Sequence, residues 1–287
     1  MHILLTGASG FIGSALSRAL TQQGHTLVPV SRRHGVDFSR MQAAGNWLPL
    51  LAGVDAVINA VGIIAEGGGQ RFDVLHRHAP QALFNACQQA GVGKVIQISA
   101  LGADERAVTA YHLSKRAADD ALRRLPLDWF VLRPSLVYGQ GGASSSLFMR
   151  LSRLPLVPLV GSGEQLVQPV HISDLVATVL RCLAQKGGQQ TLDVVGPEVV
   201  SFAQWLQQMR SSQGLGAARF VPIPAGLVMA ACQLGRFISP LMQPDNLRML
   251  QMGSTADVKP LQTFLGRSPL GVAPHLFTRN EGAVYEL

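Results

Sequence analysis

Cysteine is scarce: Cys87, Cys182 and Cys232 are odd in number and far apart. Their spacing suits neither a disulfide framework nor a metal site, so no metal is expected and a reducing compartment fits best. Charge is sparse too, and acid sparser than base: 24 Lys and Arg against 17 Asp and Glu give a formal +7. The basic residues form no run and do not alternate with aromatics, so no nucleic-acid partner is expected. An anionic small molecule or an anionic lipid surface is compatible with the excess. No apolar stretch reaches the length needed to span a bilayer. Met1 stands almost inside the first apolar segment, so no leader is expected and the expected location is cytoplasmic, with peripheral contact at the cytoplasmic face of a membrane left open. Internal repeats and linker-like stretches are also lacking. What the chain does have is 47% hydrophobic residues, enough for a large core and a smaller appended lobe.

The organising stretch is Ile3-Leu4-Leu5-Thr6-Gly7-Ala8-Ser9-Gly10-Phe11-Ile12-Gly13. The apolar run reads as a buried strand, and Ser14 to Leu20 as an amphipathic helix. Between them stand three glycines at a spacing of three. Gly7 permits a tight turn, Gly10 keeps no side chain in the way of a phosphate, and Gly13 lets the helix sit close to the strand; Ser9, Phe11 and Ile12 complete the turn. Free N–H groups and the positive dipole end of the helix then face a dinucleotide's phosphates. A second strand is expected over residues 26–30. At its end, where NAD-preferring sites carry Asp or Glu, stand Ser31-Arg32-Arg33. Two guanidiniums suit a 2′-phosphate, so NADP is favoured over NAD, the alternative being a solvated basic loop. Residues 35–38 read as a clipped third strand, with Asp37 near an adenine. Residues 53–62 read as the fourth strand and its exit.

Apolar residues recur at helical spacing over residues 72–90, and Gly91 ends that helix. A fifth strand is expected over 94–99, with Ser99 at its C-terminal end, where ligands bind in open parallel sheets. Tyr111 and Lys115 follow on a helix running to Arg124, four apart and hence on one face. A tyrosine with an ordinary pKa near 10 is a poor acid or base at neutral pH, and a nearby ammonium lowers that pKa. Residues 127–132 form a sixth strand, leaving through Arg133-Pro134. Ser173 or Asp174 is expected to cap a helix through Leu183, His171 to be structural, residues 191–195 to form a strand, and Ser201 to cap another helix. Residues 219–236 are strongly apolar with arginine at both ends, which reads as a strand and a buried helix, or else as a surface that meets a membrane or lipid. With Arg248, Lys259, Arg267 and Arg279 against Asp245, Asp257 and Glu281, this end of the chain is basic.

The Thr-Gly-x-x-Gly-x-x-Gly motif followed by Tyr-x-x-x-Lys resembles the extended and atypical short-chain dehydrogenases/reductases. The run from Val95 through Gly102-Ala103-Asp104 resembles the group related to the Rossmann-fold accessory subunit of respiratory complex I. The resemblance implies an α/β fold: a doubly wound parallel sheet over residues 1–134 with parts of 165–196, and a C-terminal substrate lobe over 135–287 interleaved with it. It implies that Asn59, Ala60, Val61 and Gly62 neighbour the cofactor ribose, that Pro134 passes the nicotinamide, and that Lys115 also bonds the ribose. Tyr111 would be the acid/base, Lys115 its activator and Ser99 a carbonyl-orienting donor. An NADPH-dependent oxidoreductase, or an epimerase/dehydratase-like variant, acting on a small molecule would follow, with an apolar substrate left open. A non-catalytic NADP(H)-holding accessory or assembly protein linked to the respiratory chain or quinone metabolism is the alternative. Two departures stand out: Leu101 occupies the later position where epimerases usually place the catalytic hydroxyl, and His76 and His78 lie where many relatives have an asparagine.

Overall fold

The computed structural model describes residues 1–235, 243–273 and Phe277. They fall into two compact units, the first made of Met1–Pro134 with Val176–Asp193, the second of Ser135–Leu175 with the described residues from Val194 onward. The chain runs β1 (His2–Thr6), α1 (Phe11–Gln22), β2 (Thr26–Val30), α2 (Ala44–Trp47), β3 (Ala56–Asn59), α3 (Ala79–Ala90), β4 (Lys94–Ile98), α4 (Ala110–Arg123) and β5 (Trp129–Pro134). It continues through β6 (Val137–Tyr138), α5 (Ala143–Ser152), β7 (Val157–Val160), β8 (Leu166–Val167), β9 (Val170–His171), α6 (Ile172–Ala184) and β10 (Gln190–Val194). Last come β11 (Val200–Ser201), α7 (Phe202–Ser211), β12 (Phe220–Ile223), α8 (Ala225–Gly235), α9 (Pro244–Met252) and α10 (Lys259–Leu265).

A six-stranded sheet in the order β10-β5-β4-β3-β1-β2 forms the first unit. The pairings of β2, β1, β3, β4 and β5 are parallel. Ile3, Leu4 and Leu5 are fully buried, so β1 is covered on both faces, as a parallel sheet requires. One face, through Leu4, Val57, Val95 and Val131, packs with Leu83, Cys87, Ala118 and Leu122 of α3 and α4. Each valine and leucine among them stabilises the fold by about 1.5–3 kcal/mol on burial. α1, whose Leu16 and Leu20 are buried outside that cluster, lies against β1 and β2. The strand order reverses between β2–β1 and β3, which makes a crevice at the C-terminal ends of β1 and β3, where open α/β sheets bind ligands.

Residues 35–38 form no strand. After β2 a 3₁₀ turn, Arg32–His34, closes on Gly35 at φ 78, and the Val36 N–H returns to the Ser31 carbonyl at 3.1 Å. Asp37 then caps a second 3₁₀ turn by accepting the Ser39 N–H at 3.0 Å. Backbone groups that a strand would offer to β2 are used within these turns, and Phe38 goes into the core, edge-on to Trp47 at 5.3 Å. The helix expected over 72–90 opens with a wider π-helical stretch, Asp73–His78, before α3.

In the second unit Tyr138, Val157, Leu159, Phe202, Trp205 and Met209 are among the residues of a separate core. Ser201 caps α7, and Gln204 reciprocates. Neither Ser173 nor Asp174 caps α6, because that helix begins at Ile172. Asp174 instead sits in its first turn, fully buried, and accepts bonds from Arg267 Nη1 at 2.7 Å and the Leu270 N–H at 2.8 Å. His171 is buried beside Ser173 Oγ at 2.7 Å and edge-on to Tyr138. α8 is less enclosed than a buried helix: Leu227 is 64% exposed, and Val228 and Met229 are half-buried. The side chain of Leu234, and Arg236, Arg279 and Glu281, lie outside the described residues. No described helix is long and apolar enough to cross a membrane.

Candidate functional site

The glycine turn has a steric reason at Gly7 and Gly13 and an open surface at Gly10. Gly7 has φ +67, and a Cβ there would lie 2.7 Å from the Ala60 carbonyl oxygen. At Gly13 a Cβ would lie 2.1 Å from the Gly7 oxygen, so α1 touches the turn it leaves. At Gly10 the only close atom is that same oxygen, at 3.2 Å. The turn surface is open there: Ser9 and Gly10 are exposed, Phe11 and Ile12 half-buried. α1 begins at Gly10 with no side-chain cap and no acidic residue in its first turn. An uncapped helix start beside a surface that any Cβ at Gly10 would roughen fits a dinucleotide's pyrophosphate.

The exits of β2 and β3 flank this turn. Arg32 and Arg33 are exposed, whereas Ser31 is buried with its hydroxyl 2.7 Å from His34 Nδ1. Asp37 lies two turns on. The Ser39 hydroxyl and N–H, with Arg40 and Arg32 nearby, hold its carboxyl below the usual range. Asn59 does not present its side chain to the crevice. It is fully buried, accepting from Thr6 Oγ at 2.5 Å and donating to Gln97 Oε1 at 2.7 Å. The parallel register places Thr6 opposite Asn59, and Asn59 opposite Gln97. A polar ladder therefore ties the ends of β1, β3 and β4 beneath the turn. Ala60 backs Gly7, and Gly62 lies beside Lys115, whose Nζ would be 3.3 Å from a Cβ there.

α4 carries the reactive pair. Thr109 caps it by accepting the His112 N–H at 3.2 Å, which sets Tyr111 in the first turn and Lys115 one turn later. Lys115 is buried and donates to Val61 O at 3.1 Å and Ile98 O at 3.0 Å. It thus joins the exits of β3 and β4. Pro134, at the end of β5, is buried and accepts the Leu101 N–H at 2.9 Å. Tyr111 is half-buried within a ring of edges: Phe72 at 5.8 Å, His76 at 5.4 Å and His112 at 5.3 Å. His76 sits on the π-helical stretch. Its Nε2 accepts the Ile63 N–H at 3.0 Å, so Nδ1 carries the proton and faces Ser114 Oγ at 3.0 Å. Ser114 donates onward to the Tyr111 carbonyl at 2.7 Å. Burial first, and the Lys115 charge second, hold His76 well below its ordinary pKa, hence neutral.

Ser99 is not free to point at a ligand. It is buried, and its hydroxyl donates to Asp119 Oδ2 on α4. Asp119 is itself fully buried, one helical turn beyond Lys115. Burial raises its pKa, while Ser99, Lys115, Arg123 and Gln97 act against that. Burial lowers Lys115, and Asp119 opposes it. The sign at Tyr111 is opposite to the sequence-based expectation: burial, aided by the Asp119 charge, pushes its phenol up to about 12. Without a ligand, then, Tyr111 is a firmly protonated donor. The sequence reading singled out His76 as a departure but gave it no role, and it missed Asp119, Ser114 and Phe72. Of those three, Asp119 and Ser114 carried a local signal, standing four and one residues from Lys115 on the same helix.

The model of the NAD dependent epimerase/dehydratase family matches residues 3–195. A ceramide reductase of Caulobacter vibrioides is 30% identical over 190 residues, covering 62% of this chain and 59% of that protein's length. The NADH dehydrogenase [ubiquinone] 1 alpha subcomplex subunit 9 of Arabidopsis thaliana mitochondria is 25% identical, covering 94% of this chain and 73% of its own. Among solved structures, MoeE5 in complex with UDP-glucuronic acid and NAD superposes with a TM-score of 0.73 at 23% identity, covering 96% of each chain; at that identity the likeness is one of fold. The glycine turn, the six-stranded sheet and the match over two thirds of its length agree: the chain belongs to the NAD-dependent epimerase/dehydratase family.

Proposed function

We propose that the protein is an NADPH-dependent reductase of a carbonyl group in a small, largely apolar molecule. The observation that carries this reading is the Tyr111–Lys115 pair, a protonated phenol one turn from a buried ammonium that bridges the β3 and β4 exits. A bound nicotinamide dinucleotide supplies a hydride. Tyr111 gives its proton to the carbonyl oxygen as that oxygen gains negative charge. A phenol held up to about 12 is protonated at neutral pH and so carries the proton to be given, although that shift makes it a weaker acid than a free tyrosine. Two of the three N–H donors of Lys115 hold Val61 and Ile98, and the third is available to a ribose hydroxyl. The first turn of α1 binds the pyrophosphate.

Support for NADP(H) comes from Arg32 and Arg33, exposed at the end of β2, and from Asp37, whose carboxylate is engaged by Ser39 and Arg40. Support for an apolar substrate comes from the ceramide reductase among the relatives. Likeness to the complex I subunit over 94% of the chain favours a second reading, a protein that holds NADP(H) without turning it over. The test is a titration of NADPH and NADH against wild type and Arg32→Ala, with an NADPH-oxidation assay over long-chain ketones. A charge-assisted bond to the 2′-phosphate is worth about 1.5–3 kcal/mol, so NADPH should bind at least about tenfold more tightly than NADH in the wild type. Equal affinities overturn the cofactor assignment. Tight NADPH binding with no ketone reduced overturns the reductase in favour of the second reading.

A further inference from the structure

We propose that Asp119 is a positioning residue: it is the buried counter-charge of Lys115, and Ser99 serves Asp119 rather than a substrate carbonyl. The role in catalysis rests on the reductase reading above; the pairing itself does not. Asp119 and Lys115 stand at i+4 and i on α4, both enclosed, at the point where that helix packs against the ends of β3 and β4. A lone ammonium there would have only two carbonyl oxygens to offset the loss of water. A carboxylate one turn on offsets its charge through space, without an ion-pair contact.

The groups that face this pair are few. His76 is neutral and bound on both ring nitrogens by Ile63 and Ser114. Arg123 reaches Asp119 through space, but its own guanidinium bonds Asp120 and Thr191. The Gln97 amide lies near, its Nε2 buried without a hydrogen-bond partner, and so does the Tyr111 phenol. Ser99 has one proton, and it is on Asp119 Oδ2. The other carboxylate oxygen, Oδ1, is buried without a hydrogen-bond partner. Turning Ser99 toward a substrate would therefore strip the carboxylate of that bond inside the protein, which is costly. So Ser99 favours the ionised form of Asp119 against the burial that raises its pKa, an ionised Asp119 favours the charged form of Lys115, and Lys115 holds the two strand exits between which Tyr111 acts.

Lys115 can be watched directly, because the chain has four lysines, Lys94, Lys115, Lys186 and Lys259. In full-length protein labelled with [13Cε]lysine, Lys115→Met assigns the signal, and its titration midpoint is read without any cofactor. Asp119→Asn is expected to lower that midpoint by at least about one pH unit, with the other three lysines unmoved. Asp119→Glu should restore it, and Ser99→Ala should shift it the same way by less. A purely structural Asp119 would change the melting temperature and leave the midpoint in place. If Asp119→Asn does not fold, Ser99→Ala decides. An unmoved Lys115 midpoint in the variant that folds overturns the proposal. A wild type that reduces nothing, yet whose Lys115 still responds, retains the pairing and removes only the reaction.

Discussion

Gly10→Ala is expected to weaken cofactor binding at least about tenfold while sparing the fold, because of where the added methyl would stand. Gly10 has φ −80 and ψ 176, backbone angles open to any residue. Its Cβ would meet only the Gly7 oxygen, at 3.2 Å, so that neighbour need give by a few tenths of an ångström. Alanine is a poorer N-cap than glycine by roughly 0.5–1 kcal/mol, so the stability loss should stay near about 1 kcal/mol. The same methyl occupies the surface against which a pyrophosphate must rest to reach the free N–H groups of α1. Losing even one charge-assisted bond there costs about 1.5–3 kcal/mol, a factor of at least about ten in affinity. The comparison is Gly13→Ala, whose Cβ would stand 2.1 Å from the Gly7 oxygen, against an ordinary contact of 3.4 Å or more. Overpacking of about 1–3 kcal/mol, offset by about 1 kcal/mol of helix propensity, should destabilise that variant as well as weaken binding. Urea unfolding gives the first quantity, and fluorescence titration with NADPH and NADH the second. A Gly10→Ala protein that binds both cofactors like wild type would refute the cradle.

Tyr111→Phe should leave NADPH affinity within about twofold and remove turnover of any ketone the wild type reduces, whereas Lys115→Met should weaken both; full activity in Tyr111→Phe would show the proton comes from elsewhere. His76 is neutral in the fold but ionises near 6.5 once unfolded, so the unfolded state binds the extra proton and stability falls as pH drops below 6.5, by up to about 1.4 kcal/mol per pH unit. Denaturant titrations at pH 7, 6 and 5 should show that slope reduced in His76→Gln, and parallel slopes would mean His76 is not the group responsible.

Features set by neighbours along the chain are legible in the sequence. A turn needing positive φ at Gly7 and helix contact at Gly13 depends on atoms within a few residues. The i, i+4 placement of Tyr111 and Lys115 depends only on the helix that carries them. The Ser201 cap with Gln204 is equally local. Residues 35–38 read as a strand but form turns, because the short apolar–acid–apolar pattern is shared by a strand and by an Asp-capped turn, and Trp47, further along the chain, decides where Phe38 goes. The Thr6–Asn59–Gln97 ladder exists because β1 lies beside β3 and β3 beside β4, a strand order that no single segment encodes. Asp119 is visible one turn from Lys115, but its bond to Ser99, 20 residues away, is not. The sign of the Tyr111 shift depends on both: spacing alone places a lysine near the phenol and lowers its pKa. Folding takes the phenol largely out of water and adds a carboxylate, and those two effects raise it. Chemistry written in residue spacing is set by the sequence. Charge balance inside the site is set by burial, which only the tertiary structure decides, because the cost of a charge depends on what replaces its water.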